Sequence, residues 1–129
     1  MIRIGLLGAG RIGQVHARAV ASVPMAKLIA VADTFTKNAQ LVQDQYGCDI
    51  RTIDQILLSD DIDGVIICTP TDTHADLIES FAQAGKAIFC EKPVDLDIFR
   101  VKACLTIVQE ENATLMVGFN RRFAPHIVK

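Results

Sequence analysis

Short apolar runs of strand length alternate with longer segments of helical periodicity along this chain, and the alternation starts at its first residues. Residues 2–7 read as a buried strand, and residues 11–22 read as a helix that Pro24 stops. A second strand follows over residues 27–32. Residues 38–46 then put Ala39, Val42 and Tyr46 on one helical face, with Gly47 as the C-cap. A short edge strand is expected over 48–51, and a short helix over 52–58 whose apolar positions are Ile53, Ile56 and Leu57. After the polar break Ser59, Asp60 and Asp61, residues 64–68 predict a central strand. The loop 69–74 leads into a helix carrying Leu77, Ile78, Phe81 and Ala82. Thr73 is expected to cap it, Asp76 to add negative charge to its first turn, and Gly85 to end it. A fifth strand spans 86–90, with Glu91, Lys92 and Pro93 as the loop at its C-terminal end. The longest helix, 97–112, is expected to bury Ile98, Val101, Leu105 and Val108, and a sixth strand covers 114–118.

Strands alternating with helices predict a parallel sheet covered on both faces, because short right-handed crossovers put the helices there. The expected fold is therefore α/β, a doubly wound, mostly parallel Rossmann-type sheet flanked by helices. Such sheets bind ligands at the C-terminal ends of their strands. Four separated stretches converge on that edge: Gly8 to Gly13, Thr69 to His74, Glu91 to Pro93, and Asn120 to Arg122.

With 129 residues the chain suits one domain. A net charge of -2, one Tyr and no Trp give no support to a nucleic-acid surface. The apolar runs fall far short of the roughly 18 residues that span a bilayer, and the N-terminus enters a strand almost at once, without the charged region of a leader. A soluble, cytoplasmic protein is the expectation. Cys48, Cys68, Cys90 and Cys104 are too irregularly spaced for a metal pair and read as core or edge thiols without a disulfide. His16, His74 and His126 are likewise too scattered to suggest a metal site.

The strand-to-helix turn after residue 7 carries Gly8, Gly10 and Gly13 in the spacing G-x-G-x-x-G. Gly8 would make the tight turn, Gly10 would leave room for a pyrophosphate, and Gly13 would let helix and strand approach. The helix start at Arg11, Ile12 and Gly13 offers unpaired N–H groups to an anion. Asp33 closes the second strand about 20 residues beyond the last glycine, where a carboxylate accepts the hydroxyls of an adenosine ribose and repels a 2'-phosphate. Thr34 and Phe35, rather than arginines, stand beside it, which favours NAD over NADP. The competing reading is a plain glycine turn with a helix-capping Asp.

Lys92 is the candidate catalytic side chain. At the mouth of the fifth strand, held extended by Pro93, its ammonium would hydrogen-bond a substrate hydroxyl and favour the alkoxide that develops as hydride leaves. Glu91 reads as a positioning group or a carboxamide and ribose contact. Thr69, Thr71 and His74 line the nicotinamide side in this reading, with a first-turn capping role as the alternative for His74. Asp72 is either part of that loop's chemistry or an ordinary loop carboxylate. Arg121 or Arg122 contacts cofactor or polyol, or pairs with acids in solvent. His16 reads as a packed or bonded structural residue. Alcohol oxidation also requires a group that takes the hydroxyl proton, and these residues leave no satisfactory base.

Gly8 to Gly13, Asp33, Glu91-Lys92-Pro93 and Gly118-Phe119-Asn120-Arg121-Arg122-Phe123 together resemble the glucose-fructose oxidoreductase/inositol dehydrogenase/rhizopine catabolism family over essentially the whole chain. The resemblance implies an NAD-binding domain over residues 1–120 and, at 121–129, the start of a connection to a second α+β domain. It implies that Lys92 is the lysine of the Glu-Lys-Pro motif, and that an Asp and a His beyond Lys129 complete the site, the His as base. It further implies hydride transfer to NAD from a sugar or polyol such as myo-inositol, in a homo-oligomer that is often a tetramer. Where the family often has Asp after Arg-Arg-Phe, an Asp that could cap the crossover helix, this chain has Ala124. A non-catalytic NAD-binding or redox-sensing module would need only the glycine loop and Asp33.

Overall fold

The computed structural model describes residues 1–118. Its elements run β1 (Ile2–Leu7), α1 (Arg11–Ala21), β2 (Ala26–Ala32), α2 (Thr36–Tyr46), β3 (Asp49–Ile50), α3 (Ile53–Leu57), β4 (Gly64–Ile67), α4 (His74–Gln83), β5 (Ala87–Glu91), α5 (Ile98–Glu110) and β6 (Leu115–Gly118), with a 3-10 turn at Thr71–Thr73. The expected order of elements is observed, with ends moved by a residue or two.

All six strands are parallel, in the order β3-β2-β1-β4-β5-β6. Chain order reverses between β1 and β4, and that switch opens a crevice at the strands' C-terminal ends. Successive side chains of a strand point to opposite faces, so neighbours divide between two cores. Leu6 and Val31 join Ala17, Val20, Ala39 and Val42 under α1 and α2. Leu7, Ala30, Ala32, Val65 and Ile67 join Ile56, Ile78, Phe81 and Val108 under α3, α4 and α5. Burial on both sides explains why these strands read as unbroken apolar runs. No helix among the described residues is long and apolar enough to cross a membrane.

Two details depart from the expected pattern. Thr73 does not cap α4 with its side chain: its backbone is already helical, and its hydroxyl donates instead to the Pro70 carbonyl at 2.6 Å. On α5, Val101 packs against the core and Cys104 and Val108 are buried, whereas Ile98 and Leu105 are exposed. The helix is rotated because the small Cys104 faces Ala75 of α4, its thiol 3.7 Å from the Ala75 carbonyl, where Leu105 would hold the two helices apart. Arg100 reinforces that contact by pairing with Asp76, at 2.6 Å, and with Glu79. Lys86 lies outside β5, buried, with its ammonium donating to the carbonyls of Ser59 (2.7 Å) and Ile62 (2.9 Å). Those bonds tie the β5 approach to the turn before β4.

Candidate functional site: a cleft at the switch point

The glycines divide their tasks. Gly8 has φ +93°, a conformation L side chains rarely adopt, and a Cβ on it would lie 2.6 Å from the Cys68 carbonyl oxygen. A Cβ on Gly13 would come within 2.0 Å of the Gly8 carbonyl oxygen. Both are therefore required by the protein's own packing. Gly10 differs: a Cβ there would meet nothing within 4 Å. Its missing side chain serves open space above the loop, the space a pyrophosphate needs to reach the backbone.

Gly10 is also the N-cap of α1, which no side chain caps and whose first turn holds no acid. Exposed Arg11 and Ile12 follow it. The helix thus presents its N–H groups, its positive dipole end and a guanidinium to one place. The loop fits a dinucleotide phosphate on these grounds.

Asp33 is half-buried at the end of β2. Its Oδ2 accepts the Ala9 N–H at 2.6 Å and its Oδ1 accepts the Phe35 N–H at 2.7 Å. Ribose recognition and loop bracing are compatible, since each oxygen keeps a second lone pair. The carboxylate is fixed in place by the glycine loop it serves.

A cleft of about 840 Å³ continues from α1 toward β4 and β5, within the range of small-molecule sites. Arg11, Ile12, Val15 and His16 line it from α1, Cys68, Thr69, Thr71 and His74 from the β4 side, and Glu91, Lys92 and Pro93 from the end of β5. Lys92 is exposed at the rim, and the Lys92–Pro93 peptide is cis. Glu91, the last residue of β5, is hydrogen-bonded by His16, whose ring also packs on Phe89 with centroids 5.3 Å apart. His16 is thus a bonded residue, and its partner is the acid beside Lys92. Thr69 donates its hydroxyl to Thr73, which has given its own proton to Pro70.

His74 is 2% exposed, and both its ring nitrogens meet carbonyl oxygens: Nδ1 is 2.8 Å from that of Pro93 and Nε2 is 2.8 Å from that of Thr69. Cys68 borders the cleft, but burial, with the Glu91 charge adding to it, pushes its thiol up to about 12, so it stays protonated and unreactive near neutrality. Cys90 is pushed equally high, by burial first and then by Cys104 and Glu91. All four cysteines are free. Arg121, together with Asn120 and Arg122, lies outside the described residues.

The sequence marked His16 as a packed or bonded residue, but it did not show that His16 and His74 would each take a partner on the β5 side. Those pairings span 75 and 19 residues, and only the assembled sheet brings them together. A histidine one turn into α1 was the available clue to the first.

Comparison with known proteins agrees with the geometry. Residues 2–119 match the model of the Gfo/Idh/MocA oxidoreductase family, NAD-binding Rossmann fold. Among curated relatives, the inositol 2-dehydrogenase of Rhizobium meliloti is 64% identical over 127 residues, which is 98% of this chain and 38% of that protein. The structure of a myo-inositol dehydrogenase from Corynebacterium glutamicum is 44% identical, with a TM-score of 0.87, over 97% of this chain and 38% of the other. That of a scyllo-inositol dehydrogenase from Lactobacillus casei, with NAD(H) and scyllo-inositol bound, is 33% identical, with a TM-score of 0.88, over 95% and 37%. The chain spans about 38% of the length of such relatives. It belongs to the Gfo/Idh/MocA oxidoreductase family, of which it carries the NAD-binding Rossmann domain.

Proposed function

We propose that this chain is the cofactor-binding part of an NAD-dependent inositol 2-dehydrogenase, which oxidises a ring hydroxyl of myo-inositol to the ketone. The observation that carries the cofactor half of this reading is the contrast between Gly10, open above the helix start, and Gly8 and Gly13, closed by packing. The polyol half rests on the names of the relatives, the 64% identical one first.

Gly8, Gly10, Arg11, Ile12 and Gly13 would hold the pyrophosphate, and Asp33 the adenosine ribose. Thr69, Thr71, Glu91 and Lys92 would border the nicotinamide, and Arg121 would reach cofactor or polyol from beyond β6. When bound, NAD supplies the hydride acceptor. Lys92 would hold the substrate hydroxyl and stabilise negative charge on its oxygen as the hydride departs. Of the histidines in the described residues, His16 is engaged by Glu91 and His74 by two carbonyls. We therefore assign the proton-accepting base to the part of the enzyme outside residues 1–118. Residues 1–120 would form the domain and 121–129 begin the connection to the next. The intact enzyme is read, by family likeness, as a cytoplasmic homo-oligomer such as a tetramer.

The test is calorimetric titration of the purified chain with NAD and with NADP, followed by turnover assays with myo-inositol and scyllo-inositol. Tighter binding of NAD and negligible turnover by the 129-residue chain are expected. A folded chain that bound neither nucleotide would overturn the cofactor assignment. Turnover at the rate of an intact dehydrogenase would overturn the assignment of the base.

A further inference from the structure

We infer that His74 is a positioning residue: a buried imidazolium that clamps the Thr69 loop after β4 to the Lys92–Pro93 loop after β5. The number of protons on the ring decides which of its contacts are hydrogen bonds. A backbone carbonyl oxygen accepts and never donates, and His74 presents one ring nitrogen to each of two of them, at 2.8 Å and 2.8 Å. A neutral imidazole carries a single N–H. It would satisfy one carbonyl and aim a lone pair at the other, in a site too buried for water to relieve the clash. The doubly protonated ring satisfies both.

The two carbonyls belong to the two loops that border the cleft opposite the glycine turn. One belongs to Thr69, two residues before Thr71, and the other to Pro93, which immediately follows Lys92 in the chain. The ring thereby sets the distance between the wall of the cleft and the backbone that carries the candidate catalytic lysine. It acts through that backbone and not by touching substrate. Among other charged and titratable groups around it, Arg11, His16, Cys68, Glu91 and Lys92 line the same cleft. Asp72 occupies the turn before α4, while Asp76 and Glu79 of α4 are taken by Arg100 of α5. The Cys104 thiol of α5 reaches the Ala75 carbonyl beside the ring. The carboxylates of α4 thus have their own cation, and the two carbonyls are the bonded partners of this one.

The purpose of the clamp rests on the dehydrogenase reading; its proton inventory does not.

The test uses the 129-residue chain labelled with nitrogen-15. Its ring-nitrogen spectrum at pH 7 is expected to show protons on both nitrogens of His74; one bare nitrogen would overturn the inference. Raising the pH until one proton leaves should move the backbone amide signals of Thr71 and Lys92 along the same curve, and amides that stay still while the ring titrates would also overturn it. His74→Gln, which retains a donor, should displace the Lys92 amide less than His74→Phe, which fills the space without one. NAD titration of the same sample separates the two readings. Loss of binding with a doubly protonated ring sinks the cofactor assignment alone, and normal binding with a neutral ring sinks only the clamp.

Discussion

The two ends of the cleft are built in different ways. The end proposed to take the phosphates is made of backbone: a turn of positive φ, a helix start without a side-chain cap, and two glycines, Gly8 and Gly13, at which a Cβ would run into a neighbouring carbonyl. The end that carries Lys92 is made of side chains that reach across the sheet, His16 from α1 to Glu91 and His74 from α4 to Pro93 and Thr69. Backbone construction fixes a shape that every bound phosphate shares. Side-chain construction can be retuned residue by residue, which suits the end where substrates differ.

The largest effect expected from breaking this contrast is at Gly13. Gly13→Ala forces a carbon into the Gly8 carbonyl and should cost about 3 kcal/mol or more, seen as a fall in the urea midpoint with NAD binding lost. Asp33→Ala comes next. Removing a carboxylate that braces Ala9 and Phe35 should weaken NAD roughly ten- to hundredfold by calorimetry and narrow its preference over NADP. Gly10→Ala sharpens the comparison most, because the residue has extended backbone angles and open space. Its stability should stay within about 0.5 kcal/mol of the parent, while NAD affinity falls about tenfold. A fall in stability with binding intact would refute the division of glycine tasks.

The smallest effect belongs to the side-chain end. In a double-mutant cycle, His16→Ala and Glu91→Gln should couple by about 1 kcal/mol in urea unfolding. Strict additivity would mean that the pair does not hold Glu91.

What the sequence made legible follows the same division. The glycine turn and Asp33 could be read from the chain because their logic is local: strand, turn, helix start and the end of the next strand. The parallel sheet covered on both faces followed from alternation and crossover handedness, whereas the order of its strands came from the structure. The face of α5 was misread because helical period admits both the Ile98–Leu105 stripe and the Val101–Cys104–Val108 stripe. Only the close approach at Ala75 chooses between them. Thr73 looked like a cap because a hydroxyl before a helix usually serves as one; the preceding 3-10 turn claimed it first. The commitments of His16 and His74 were hidden because each depends on strands that come together only in the folded sheet.

The position of β1 bears on how the protein is made. β1 can pair with β2 once Ala26–Ala32 has been synthesised, but its other edge is completed only by Gly64–Ile67. At a synthesis rate of roughly 5–20 residues per second, the ribosome takes on the order of several seconds to cover that interval. Throughout it, the backbone groups of Arg3, Gly5 and Leu7, which face β4 in the finished sheet, lie on an open edge, the kind of surface that recruits stray strands. The strand that ends up at the centre of the sheet is thus an edge strand while the chain is being made.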